Sequence, residues 1–230
     1  MRNDPNAVML FAAGFGTRMR SLTADRPKPL VVVGGRALID HTLDLVRASE
    51  IATVVANLHY LPEKLLAHLE GSGVQTLIET PDILETGGGL RNALPLLGDG
   101  PVFTANTDAI WRGPNPFSVL KDAWDPDQMD ALLICVPRDR VLGHKGQGDF
   151  VIGPDGRLSR GPGHVYGGIQ IIKTNGLHDF DEPAFSLNLL WNKLAENNRL
   201  FGLPYDGEWC DVGSPEGIPL AETLLEPRHV

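Results

Sequence analysis

Short apolar runs alternate along the chain with longer segments in which apolar residues recur every three or four positions. Residues 8–13 are continuously apolar and predict a buried strand; residues 37–49 carry Leu38, Leu45 and Val46 on one helical face. A second strand is expected over 53–57 and its helix over 62–69, where Pro62 suits a first turn. Residues 74–79 predict a third strand. A helix over 86–97 opens on Gly87, Gly88 and Gly89 and stops at Gly98. The run 102–107 predicts a fourth strand, which delivers Asp108 at its carboxyl end. This alternation implies an α/β layering with a mostly parallel sheet, in which ligands bind beyond the carboxyl ends of the strands.

Past Pro114 the rhythm changes. A helix is expected over 117–124 and a strand over 131–136, followed by a loop rich in Gly, His and Lys. Residues 149–152 and 157–159 predict a hairpin turned by Gly153 to Gly156. A strand over 166–173 and a helix over 188–197, with Leu189, Leu190 and Leu194 on one side, complete the pattern. No repeat, low-complexity tract or linker interrupts it, so residues 1–230 read as one domain.

Charge narrows the classes. Acidic residues outnumber basic ones 29 to 20, a formal charge of −9, which argues against a protein that wraps nucleic acid. A few local cations still suffice for a small anionic substrate in one cleft. Cys135 and Cys210 are too few and too far apart for a disulfide framework or a Cys/His zinc site. The N-terminus lacks a signal-peptide pattern and no apolar run approaches a membrane span. The expectation is a cytoplasmic protein that engages neither membrane nor nucleic acid.

The chemistry starts after the first strand. Gly14 and Gly16 form a turn whose backbone N–H groups can approach a phosphate. Arg18 and Lys28 add cations, the latter on a stiff segment between Pro27 and Pro29. The loop is not a Walker motif, because Gly16 is followed by Thr17 and Arg18 rather than Lys and Ser or Thr. Nor is it a dinucleotide fingerprint, because Met19 occupies the third glycine position, which excludes a nicotinamide dehydrogenase.

Ala12, Ala13, Gly14, Gly16, Thr17, Arg18 and Met19, with the segment Pro27 to Leu30, resemble the signature of the sugar-1-phosphate nucleotidyltransferases. Further segments recur in order: Glu85 to Gly89, Asn106 to Asp108, Gly143 to Phe150, Tyr166 to Ile169 and Trp209 to Gly213. The resemblance extends from about residue 8 to 225. It implies a Rossmann-like three-layer α/β sandwich with a mostly parallel mixed sheet, of the nucleotide-diphospho-sugar transferase type. Its nucleotide part would span about 7–113 and its sugar part about 114–225. It also implies a Mg²⁺-dependent transfer of a nucleotidyl group to a sugar 1-phosphate, with UTP and N-acetylmuramate 1-phosphate as the favoured pair. Thymidylyl, guanylyl or cytidylyl transfer, or a catalytically weak nucleotide-sugar binding protein, are the alternatives. Two positions depart from the family: Phe15 stands where a lysine is usual, and Thr107 where a glycine is usual.

The same resemblance distributes roles. Arg18, Lys28 and Asp108 are the expected catalytic residues, and Asp108 and Asp211 the Mg²⁺ ligands. Ala12, Ala13, Gly14, Gly16, Thr17, Glu79, Thr86 and Gly87 would meet the nucleotide; Asn106, Asp149 and Gly168 would meet the sugar. Mg²⁺ suits such a site because it takes one or two carboxylates and completes its octahedron with phosphate oxygens and water. His144 and Lys145, in the glycine-rich loop, read as part of a lid rather than as metal ligands.

Overall fold

The computed structural model describes residues 3–227. Its sheet is built by period-two alternation. In the strand Ala7–Phe11, Val8 and Leu10 join one apolar cluster while Ala7 and Met9 join another. Ala131–Val136 behaves alike: Leu132, Ile134 and Val136 go to the first cluster, Ala131, Leu133 and Cys135 to the second. Both strands are therefore buried on both faces, which requires helices on each side.

Seven strands form the sheet, in the order Leu200–Pro204, Ala131–Val136, Val165–Ile172, Val102–Asn106, Ala7–Phe11, Thr53–Leu58 and Gln75–Ile78. Val165–Ile172 runs antiparallel to both neighbours, and every other pairing is parallel. The helices Leu38–Ala48, Pro62–Leu69 and Pro116–Ala123 supply Leu43, Leu65 and Phe117 to one face. Glu85–Leu97 and Leu187–Glu196 supply Leu90 and Leu190 to the other. Each such fully buried side chain contributes about 1.5–3 kcal/mol. The sandwich expected from the sequence is present.

Each strand and helix expected from the pattern appears, with ends displaced by at most two residues. Others were not expected. The strand Leu200–Pro204 contains Gly202 and Pro204, and the helix Gly217–Leu225 contains Pro219 in its first turn, so neither has strong local propensity. Burial decides them instead: Leu200 and Phe201, like Ala221 and Leu224, are at most 5% exposed. A small second sheet, Ala109–Arg112, Glu208–Asp211 and Val141–Leu142, also escaped the pattern. It matters most for the site, because it carries Asp211 to the end of the main sheet.

Candidate active site

The carboxyl ends of three parallel strands are tied together by buried polar groups. The Ala12 N–H donates to Asn57 Oδ1 (2.9 Å), Asn57 Nδ2 donates to Glu79 Oε1 (2.7 Å), and the Leu84 N–H donates to Glu79 Oε2 (2.8 Å). The Thr107 hydroxyl donates to the Phe11 carbonyl (3.0 Å), so the residue that replaces the usual glycine is used rather than merely tolerated. These bonds fix the floor from which the glycine turn rises.

Within the turn the two glycines differ. A side chain at Gly14 would meet nothing within 4 Å, so its absence leaves open space beside the backbone. Gly16 has φ +63°, and a Cβ there would stand 2.9 Å from Lys28 Cβ. Gly16 is thus required twice, by its left-handed backbone and by the closeness of Lys28. Lys28 itself opens the short 3₁₀ turn Lys28–Leu30 after an extended Pro27.

Lys28 Nζ lies 2.5 Å from Asp108 Oδ2, with side chains 12% and 29% exposed. Asp108 follows the strand Val102–Asn106; Asp211 ends Glu208–Asp211, whose ladder pairs it with Ala109. The Val212 N–H donates to the Asp108 carbonyl (2.9 Å), locking the two acids together through backbone. Burial, and then the neighbouring Asp108 charge, raise the Asp211 carboxyl above its ordinary range, against the pull of Lys28, Arg18 and His144. Arg18 comes in from the 3₁₀ segment Thr17–Thr23: a Cβ at Gly213 would meet Arg18 Nη1 at 3.0 Å and Asp211 Oδ1 at 2.8 Å. Two cations and two carboxylates therefore converge.

A cleft of about 290 Å³ opens over this cluster; Ala12, Ala13, Gly14, Gly16, Thr17, Arg18, Lys28, Thr86, Asn106 and Asp108 all line it. A second cavity, about 280 Å³, shares Phe11, Thr86 and Asn106 with the first and adds Asp149, Arg160, Tyr166 and Trp191. The two form a continuous two-part site. Asp211 flanks it beside Gly213, and His144 Nδ1 reaches within 3.8 Å of Asp211 Oδ2. The lid loop expected from the sequence thus begins against an acid of the cluster.

Besides Asp211, three expected site residues are in neither wall. Glu79 is 1% exposed and both its oxygens are taken, so it acts by holding Asn57 and the turn before Glu85. Gly87 is packed against Phe185: a Cβ would clash with its ring at 2.3 Å, and the Gly87 N–H donates to the Phe185 carbonyl (2.8 Å). That bond, with the Gly88 N–H on the same carbonyl, takes helix-terminal donors that a phosphate would otherwise claim. Gly168, at φ +89°, lies against Asn106, where a Cβ would be 2.9 Å from Nδ2. It seats Asn106, which lines both cavities. Thr86 lines both cavities, although its hydroxyl oxygen accepts from the Leu187 N–H (2.9 Å).

Asn57 and Arg160 line the site without having been expected there. Asn57 had a legible signal, a polar residue at the carboxyl end of a parallel strand. Arg160 had none, because only the fold brings the end of the hairpin strand Leu158–Arg160 to the helix Leu187–Glu196.

The donor set fits Mg²⁺. Asp108 and Asp211 are hard oxygen ligands, and Asp211 remains raised beside Asp108 even with Lys28 and Arg18 nearby, so a divalent cation would suit the pair. Among the described residues no group of three or more His, Cys, Asp or Glu side chains is placed to hold a metal ion.

A doubly wound sheet carrying these groups at its strand ends is the framework of a nucleotidyltransferase. The chain belongs to the MobA-like NTP transferase domain family, which matches over residues 8–197. It is 41% identical to the N-acetylmuramate alpha-1-phosphate uridylyltransferase of Caulobacter vibrioides, covering 98% of this chain and 99% of that protein. The protein of the same name from Neisseria meningitidis is 30% identical, over 94% and 97%. Among solved structures, HddC from Yersinia pseudotuberculosis complexed with GMP-PN superposes with a TM-score of 0.79 at 21% identity, covering 96% of this chain and all of that one; this likeness concerns the fold. Among the described residues, no helix is long and apolar enough to cross a membrane.

Proposed function

We propose that this nucleotidyltransferase transfers the uridylyl group of UTP to N-acetylmuramate 1-phosphate, with Mg²⁺, giving UDP-N-acetylmuramate and pyrophosphate in the cytoplasm. The observation that carries the chemistry is the convergence of Arg18, Lys28, Asp108 and Asp211 at the strand ends. The choice of base and sugar is supported by the 41% identity over nearly the full length of both chains.

A phosphate oxygen of the sugar attacks the α-phosphorus, and the bond from that phosphorus to the pyrophosphate oxygen breaks in line. Both reactants are anions, so positioning and charge neutralisation supply the catalysis, and no covalent nucleophile is needed. Lys28 and Arg18 meet the triphosphate, Arg18 on the departing pyrophosphate side. The backbone of Ala12 to Gly14 bounds the base, with the open space beside Gly14 leaving it room. Asp108 and Asp211 would hold Mg²⁺, which, when bound, neutralises charge on the reacting phosphates. Asn106, seated by Gly168, and Asp149, whose Oδ2 accepts the Tyr166 N–H (2.9 Å), orient the sugar in the second cavity. In this division residues from about 7 to 113 serve the nucleotide and those from about 114 to 225 the sugar. The test is a matrix of four nucleoside triphosphates against several sugar 1-phosphates, followed by pyrophosphate release. The UTP and N-acetylmuramate 1-phosphate pair should have the highest kcat/KM; a different best pair would reassign base or sugar.

A further inference from the structure

Arg160 is the lysine or arginine among the residues lining the second cavity, and although exposed it is tethered by neighbouring rings and amides. Its guanidinium lies 4.6 Å over the Phe150 ring and 5.6 Å from that of Trp191. Its Nη2 donates to Asn188 Oδ1 (2.6 Å) and Asn192 Oδ1 (3.3 Å). These partners are neutral carboxamides that orient the group, both bonds using one of its three nitrogens, while the Asp149 carboxylate is the charge that acts on it from the same cavity. A planar guanidinium has five donors in a geometry that matches a carboxylate. Asp149, the acid in the same cavity, already accepts from the Tyr166 backbone N–H and is suited to sugar hydroxyls, not to anions.

We propose that Arg160 sets acceptor specificity by binding a carboxylate carried on the sugar ring. This rests on the acceptor proposed above. N-acetylmuramate differs from N-acetylglucosamine by a lactyl ether, whose carboxylate is the one anionic group on the sugar besides its phosphate. The phosphate belongs at the Lys28 cluster, in the adjoining cavity, so a second cation at the far wall selects an acceptor charged at both ends. The Phe150 and Trp191 rings cover one side of Arg160 and leave its other donors open to a charge-assisted bidentate contact.

The experiment compares N-acetylmuramate 1-phosphate with N-acetylglucosamine 1-phosphate, with UTP and Mg²⁺, in the natural protein and in Arg160→Gln and Arg160→Lys. Binding of each sugar phosphate is followed in parallel by tryptophan fluorescence, since Trp191 adjoins Arg160. Arg160→Gln should lower kcat/KM for the carboxylated acceptor by roughly 10- to 100-fold, mostly through KM, as expected for losing one charge-assisted contact. It should leave the uncharged-ring acceptor and the KM for UTP nearly unchanged. Arg160→Lys should retain part of the preference, a point charge replacing a fork. Equal losses on both acceptors, or an intact preference in Arg160→Gln, would overturn the proposal. If the natural protein turns over neither acceptor, the proposed reaction fails, and the binding comparison still decides Arg160: its role stands only if the carboxylated sugar binds more tightly and Arg160→Gln removes that difference.

Discussion

Lys28→Ala isolates the group on which charge neutralisation most depends. The lysine is 12% exposed, lies between two prolines, and approaches Asp108 to 2.5 Å. Its ammonium is therefore preorganised, with little solvent to replace it. Taking one unit charge about 4 Å from a phosphate oxygen, the interaction is roughly 4 kcal/mol at an effective dielectric constant near 20, and about 1 kcal/mol if the site were as wet as bulk water. Removing one preorganised transition-state donor typically costs about 3–4 kcal/mol, near the upper of those bounds. Lys28→Ala should thus slow kcat by roughly 10²–10³, while the sugar-phosphate KM changes little. Steady-state pyrophosphate release at saturating Mg²⁺ measures both parameters, and thermal melting shows that the variant is folded. Lys28→Met, closer in volume, should behave alike if charge is what matters. A kcat loss below about fivefold, the bulk-water bound, would refute the reasoning. So would a change confined to the sugar-phosphate KM, which would place Lys28 at the remote end of the acceptor.

Asp211→Asn should abolish most Mg²⁺-dependent turnover yet raise Tm in Mg²⁺-free buffer, because it removes a partly buried like charge beside Asp108; a gain of about 1 kcal/mol corresponds to roughly 2–4 °C for a chain of this size. Unchanged turnover at limiting Mg²⁺ would exclude it as a ligand. Phe15 is 46% exposed, its ring 5.2 Å from that of His59, so Phe15→Lys should fit and lower the nucleotide KM several-fold, about 1 kcal/mol, with high salt eroding the gain; a salt-independent effect would contradict a phosphate contact. Asp130 accepts from Lys173 (2.8 Å) and Arg199 (3.0 Å); burial pushes its carboxyl up, but these two partners outweigh burial and hold it below the ordinary range. A depressed carboxylate stabilises the fold above its unfolded pKa and loses that contribution as pH falls through the folded one. Asp130→Asn should therefore cost about 1–3 kcal/mol at neutral pH, a penalty that shrinks in urea melts below about pH 4; a pH-independent penalty would mean that charge is not its source.

What the sequence made legible follows from where its signals are local. Strands such as 131–136 announce themselves because they are buried on both faces, and Asp108 because it directly follows such a strand. Arg18 and Lys28 are adjacent to the glycine turn in sequence as well as in space. Asp211 is different: only the ordered motifs pointed to it, since the short strands that pair it with Ala109 carry no strong periodicity. Gly87 shows the limit of such a signal, because a glycine that opens a helix announces close approach without naming the neighbour, and the fold supplies Phe185. Glu79 is a related case. An acid at a strand end suits either a ligand or a buried bond, and Asn57, 22 residues away, decided for the bond. Arg160 was silent because its setting is assembled from Phe150 on one segment and Asn188 and Trp191 on another, which come together around it only in the folded chain.

The most direct test of the central claim is to follow the α-phosphorus itself. The purified chain is incubated with Mg²⁺, N-acetylmuramate 1-phosphate and UTP labelled at the α-phosphate, and the products are separated. The label should appear in UDP-N-acetylmuramate, with unlabelled pyrophosphate released in equal amount and both products lost on chelating Mg²⁺. Label recovered only as UTP, UMP or UDP, with no sugar nucleotide formed, would contradict the assignment of Arg18, Lys28, Asp108 and Asp211 to nucleotidyl transfer to this sugar.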